Sequence, residues 1–124
     1  MAIARMRSVV LDCPDPKQLA DFYSALLGWQ ITSVEPDWVV VTDGAPVRLC
    51  FQMVPDYRPP EWPGAERPQQ LHLDLTVDDL GEAEASALTL GALKHPHQPS
   101  EDDSFRVYLD PAGHPFCLCV DSAS

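Results

Sequence analysis

His72 and Asp74 stand two residues apart in the run Leu-His-Leu-Asp-Leu-Thr-Val, residues 71–77. Apolar and polar residues alternate there, so a strand would put His72, Asp74 and Thr76 on one face and the leucines on the other. A histidine titrates near neutral pH and a carboxylate beside it can fix its orientation. The pair therefore reads as a candidate acid/base, with His72 moving the proton and Asp74 orienting it. A histidine hydrogen-bonded inside a cavity would use the same two residue types without chemistry.

The same alternation selects further side chains. In residues 47–54, Arg48, Cys50 and Gln52 oppose Leu49, Phe51 and Met53. In 6–13, Ser8 and Asp12 oppose Val9, Leu11 and Cys13. Near the C-terminus Arg106 and Tyr108 oppose Phe105, Val107 and Leu109, and Cys117 and Cys119 oppose Phe116, Leu118 and Val120. If each apolar face is covered by a helix, the other faces are free. Ser8, Arg48, Cys50, Gln52, Arg106, Tyr108, Cys117 and Cys119 would then line a mixed-polarity cavity for a small ligand. Arg48 or Arg106 would hold an anionic group. His72 with Cys50 and Cys117 could instead offer a soft nitrogen and sulfur set to a metal such as zinc, although the spacing is not a zinc-finger pattern. Buried cysteines also serve as small apolar residues. His95 and His97 flank a proline in a loop, and His114 falls in a turn; both suggest local structural roles.

The elements that must position these groups come in two similar sets. Ser-Val-Val-Leu-Asp-Cys-Pro-Asp-Pro, residues 8–16, leads into a helical pattern that stops at Gly28. Residues 72–80 lead into a second helix that stops at Gly91. Asp15 and Asp79 are the N-caps, and the two stretches superimpose with a shift of about 64 positions. Strands follow at 29–33, 38–42 and 47–54 in the first half. In the second they follow at 92–95, 105–109 and 115–120. Each half therefore reads βαβββ. The expected organisation is one domain over 1–124, with modules 5–54 and 70–121 joined by a proline-rich linker, 55–69. Tyr57 and Trp62 in that linker suit a lid, a dimer contact or simple packing.

Composition limits the partners. The chain has 124 residues, 45% of them hydrophobic, and a net charge of −11. A phosphate backbone needs lysine and arginine to neutralise it, so nucleic acid is an unexpected partner. No apolar run reaches the ~20 residues of a membrane span, and the N-terminus has no signal-peptide pattern. A cytoplasmic location with free thiols is the expectation.

The α+β arrangement of two βαβββ modules in a cupped mixed sheet resembles the vicinal oxygen chelate superfamily. That superfamily includes glyoxalase I, extradiol dioxygenases and the bleomycin- and fosfomycin-resistance proteins. The resemblance is carried by residues 15–29, 71–80, 90–92 and by Asp-Pro-Ala-Gly-His-Pro-Phe-Cys-Leu at 110–118. The linker with its Pro-Pro-x-Trp-Pro is similar to a glyoxalase-like branch common in actinobacteria. The resemblance implies a homodimer. It also places metal ligands at Ser8, Cys50 (or Gln52), His72 and Cys117, of which only His72 keeps the family's ligand type. The favoured expectation is therefore a small-molecule-binding protein without a metal cofactor. A divalent-metal lyase or dioxygenase, and a metal-free isomerase or cyclase, are the alternatives.

Overall fold

The structure is a computed structural model and describes residues 2–3 and 5–120. It is α+β, with two four-stranded mixed sheets and two helices. The chain divides into two compact units, one up to Tyr57 and one from Arg58.

The first unit contains β1 (Ser8–Cys13), α1 (Pro16–Leu27), β2 (Gln30–Glu35), β3 (Trp38–Thr42) and β4 (Arg48–Met53). Its strand order is β1-β4-β3-β2, with β1 parallel to β4 and the other pairs antiparallel. The Asp15 carboxylate accepts the Gln18 amide at 3.2 Å, and Pro16 stands where a helix needs no N–H donor. Gly28 ends α1 at φ 72°, a conformation that costs glycine nothing. Leu19, Ala20, Phe22 and Tyr23 are buried. Tyr23 stacks on Phe51 with centroids 5.7 Å apart, which identifies the Leu49/Phe51 face as the one α1 covers.

The second unit repeats this order with β5 (Leu73–Thr76), α2 (Leu80–Leu90), β6 (Leu93–Lys94), β7 (Phe105–Leu109) and β8 (Pro115–Cys119). Its strand order is β5-β8-β7-β6, the same connectivity. Asp79 caps α2 through Glu82 N–H at 2.9 Å, and Gly91 closes it at φ 117°. The hairpin between β7 and β8 explains the Asp-Pro-Ala-Gly stretch. Buried Asp110 accepts the backbone N–H groups of Ala112 and His114 at 2.9 and 3.0 Å, and Gly113 takes φ 89°. His114 thus serves the turn through its backbone.

Two strand expectations are corrected. Strand β5 begins at Leu73, so His72 and Leu71 precede it, and Leu71 is 55% exposed rather than packed under α2. Strand β6 is two residues long. The stretch read as a linker is divided at residue 57, and from Arg58 onward it packs within the second unit. There the Trp62 ring lies 5.1 Å from the His95 ring and 5.2 Å from that of His97.

Candidate functional site

The second sheet has two different faces, and register decides which residues occupy each. Residues directly opposite on neighbouring strands point the same way. Tyr108 pairs with Phe116 and Arg106 with Leu118, while Val107 pairs with Cys117. Phe116 and Leu118 also align with the Leu73/Leu75 face in the parallel β5–β8 pair. Arg106 and Tyr108 therefore share the helix face and not the face of Cys117, which corrects the sequence expectation. Tyr108 is wholly buried, stacks on Phe116 at 5.6 Å and donates its hydroxyl to Glu84 of α2 at 2.9 Å. Glu84 also receives Lys94 at 3.0 Å and Arg106 at 3.3 Å, and Asp103 takes a bidentate pair of bonds from Arg106 at 2.9 and 2.8 Å. The Lys94 hydrogen bond and then that from Tyr108 hold the Glu84 carboxyl below its usual value of 4.5, against the opposing pull of burial. Burial and the neighbouring Glu84 push the Tyr108 phenol well above its ordinary value. This network ties helix to sheet, leaving Arg106 without a free charge for a ligand.

The opposite face carries a pocket of about 200 Å³. Its apolar walls come from Phe105 and Val107 of β7, Pro115 of β8, Pro99 and Trp62. Its polar groups are Gln69, His72 and Cys117. The His72 Nε2 atom lies 3.1 Å from Asp74 Oδ1, with His72 41% exposed. Asp74 pairs in register with Cys117. Burial, and then the Asp74 carboxylate that accepts the thiol proton, push the Cys117 thiol up to about 12. Cys117 is accordingly a neutral thiol at neutral pH, unsuited to nucleophilic attack. Cys119, on the same face, is shifted upward by burial and then by Asp74.

The Trp62 wall is held by a hydrogen bond from a distant part of the chain. His95 is buried, and its Nε2–H donates to the Trp62 carbonyl at 2.6 Å. Its Nδ1 accepts the His97 N–H at 2.9 Å, so both ring nitrogens are engaged and His95 is a structural group. Pro59 in the same loop leaves no room at Gly113, where an added Cβ would come within 2.6 Å of the Pro59 Cβ. The loop from Pro59 to Gln69 is thereby fitted against the β7–β8 turn and the His95 segment. Sequence reading missed Gln69, Pro99 and Pro115 as lining residues, and had placed Phe105 and Val107 under the helix. The available signal was the hairpin itself: pairing Leu109 with Pro115 across the turn puts Val107 opposite Cys117.

In the first unit Arg48 and Ser8 meet across the β1–β4 pair, and Arg48 Nε donates to Ser8 Oγ at 3.2 Å. Gln52 is exposed and Cys50 wholly buried, both on the strand face shared with Ser8. The resemblance would make Ser8 and Cys50 or Gln52 metal ligands. These side chains are poorly suited to that role. The Ser8 oxygen already faces a guanidinium cation, and neither Cys50 nor Gln52 offers a carboxylate to a hard divalent ion. A different set stands in the second unit. His72, Asp74 and Cys117 each present a ligand atom, all within 4.8 Å of one another. Among the described residues this trio contains Asp74 in the place expected for Cys50, because Asp74 and Cys117 are cross-strand neighbours.

Comparison with known proteins bears on both units. A family model described as a glyoxalase-like domain matches residues 8–119. A glyoxalase/bleomycin resistance protein/dioxygenase family enzyme from Burkholderia phytofirmans PsJN superimposes with a TM-score of 0.71 at 17% identity, covering 94% of this chain and 98% of that one. A glyoxalase-related enzyme from Fulvimarina pelagi gives 0.68 at 16% identity, with coverage of 97% and 90%. TnmS3, an antibiotic binding protein from Streptomyces sp. CB03234, gives 0.64 at 21% identity, with coverage of 97% and 98%. No curated protein matches the sequence.

Proposed function

This chain belongs to the glyoxalase-like domain family, and from that premise we propose that it binds a small organic molecule in the pocket of its second unit without a metal cofactor. The observation that carries this reading is the pocket itself: about 200 Å³, walled by Trp62, Phe105, Val107 and two prolines, with few polar groups. Ligand sites of small molecules have this composition, apolar walls with a few placed polar atoms. The likeness to an antibiotic binding protein supports binding as a use of the fold. The loss of carboxylates at the ligand positions of the resemblance supports a metal-free site.

The test is titration of the purified chain with a library of small ring compounds, read by tryptophan fluorescence. A ligand of about ten heavy atoms should bind with a Kd of tens to hundreds of micromolar. Trp62→Ala should weaken it at least about tenfold, and a chelator should leave it unchanged. A library without a single ligand refutes the reading.

The trio of His72, Asp74 and Cys117 supports a second reading, a metal-dependent lyase or dioxygenase using an unorthodox nitrogen, oxygen and sulfur set. Near-stoichiometric metal in the purified protein, lost in His72→Ala, would establish it in place of the first.

A further inference from the structure

We infer that the ligand is a neutral, flat molecule of one or two rings bearing a hydrogen-bond donor, such as a phenolic or enolic hydroxyl, and that His72 Nδ1 receives that donor. This ligand class rests on the pocket being the binding site.

Size sets the first limit. A cavity of about 150 Å³ holds benzene, so about 200 Å³ takes one or two rings. Shape sets the second. An indole, a phenyl ring and two prolines present flat apolar surfaces, against which a planar molecule loses little contact. Charge sets the third. Among the described residues no lysine or arginine lines the pocket, and the Asp74 carboxylate stands beside His72. An anionic ligand would give up its hydration without gaining a permanent cation.

The donor requirement follows from hydrogen-bond inventory. A carboxylate can only accept, so the 3.1 Å contact with Asp74 places the neutral ring's proton on Nε2 of His72. The other nitrogen, Nδ1, then carries a lone pair and no proton, and it takes no hydrogen bond from any described residue. At the same pocket the Gln69 side-chain carbonyl is buried with no partner among the described residues. The Cys117 thiol directs its proton to Asp74. Two acceptors, His72 Nδ1 and the Gln69 carbonyl, thus lack a partner among the described residues, beside donors of the same pocket, the Trp62 indole N–H and the Gln69 amide NH2. A ligand hydroxyl, which both donates and accepts, complements both kinds. Asp74 acts as a positioning residue, since it fixes which nitrogen of His72 is bare.

The experiment compares 2-naphthol, 2-methoxynaphthalene and 2-naphthoate on the full chain by fluorescence titration. The three share a ring system and differ in donor and charge. The naphthol should bind about tenfold tighter than the methyl ether, and the naphthoate should bind most weakly. In His72→Phe the hydroxyl preference should fall to within about twofold while the ether still binds. In Asp74→Asn, whose amide can donate to Nε2 and move the ring proton to Nδ1, the preference should shrink or reverse. His72 and Asp74 are both well exposed, and a thermal melt of each variant checks that folding is retained. Equal binding of naphthol and ether, or tightest binding of the naphthoate, overturns this inference and leaves the pocket reading standing. Failure of all three, together with failure of the wider library, overturns both.

Discussion

In the first unit α1 is held to its sheet by rings and aliphatic side chains: Tyr23 stacks on Phe51, and Leu19, Ala20 and Phe22 are buried beside them. In the second unit α2 buries only Leu80 and Ala87, and its Glu84 gathers Tyr108, Lys94 and Arg106 from the strands beneath. Strand order, caps and helix stops are the same in both. The repeated connectivity therefore tolerates two unlike ways of fastening a helix to a sheet. It also tolerates different uses of the other sheet face, for in the second unit that face is walled by Trp62, Pro99 and Gln69 into a pocket.

The contrast can be broken most forcefully in the first unit. Phe51→Ala removes a wholly buried ring under α1 and should cost about 3–5 kcal/mol in urea unfolding. A loss under about 1 kcal/mol would mean that ring packing does not hold this helix.

Glu84→Gln probes the second unit and should cost about 1–3 kcal/mol near neutral pH, because three donors keep a weaker acceptor. Its pH dependence has a definite sign. A carboxyl whose folded value lies below 4.5 binds fewer protons than in the unfolded chain. Its stabilisation is present above 4.5 and is lost as pH falls through the folded value. The difference between wild type and variant should therefore be full at about pH 7 and shrink toward about pH 3. A difference that persists unchanged in acid would show that the Glu84 charge is not the fastening.

The smallest effect sharpens what the units share. Asp15→Ala and Asp79→Ala each remove one cap bond and should each cost about 1 kcal/mol. Thermal melts of the two variants should shift alike, and a clear inequality would mean the caps have diverged as the helix packing has.

Much of this architecture is written in short-range chemistry. The aspartate caps, the glycine stops and the Asp-Pro-Ala-Gly turn each work over a few neighbouring residues, so they can be read from the chain directly. The apolar alternation of β4 and β8 also identifies the face under each helix. Strand β7 defeated the same rule, because its charged Arg106 and its Tyr108 lie on the helix side, where Glu84 satisfies them. Hydropathy assigned that face wrongly, and only the pairing across the hairpin recovers it. The pairing of His72 with Asp74 was legible from their spacing. The proline-rich wall was not, since the bond from His95 to the Trp62 carbonyl joins residues 33 positions apart.

The outer edge of β7 bears on how this chain behaves among its own copies. Strand β6 pairs with Leu109 and Tyr108, and the His95 N–H continues the ladder to the Val107 carbonyl at 3.0 Å, so that without Gln98 the Val107 N–H would lie open. The side chain of Gln98 fills the seat: its carbonyl accepts Val107 N–H at 2.9 Å, and its amide donates to Val107 C=O at 2.7 Å. An open strand edge recruits strands from neighbouring molecules. A side-chain amide that imitates a backbone amide closes this one at Val107. Gln98 thereby occupies the edge position that a strand from another molecule would need, with a proline on its C-terminal side that cannot extend the ladder.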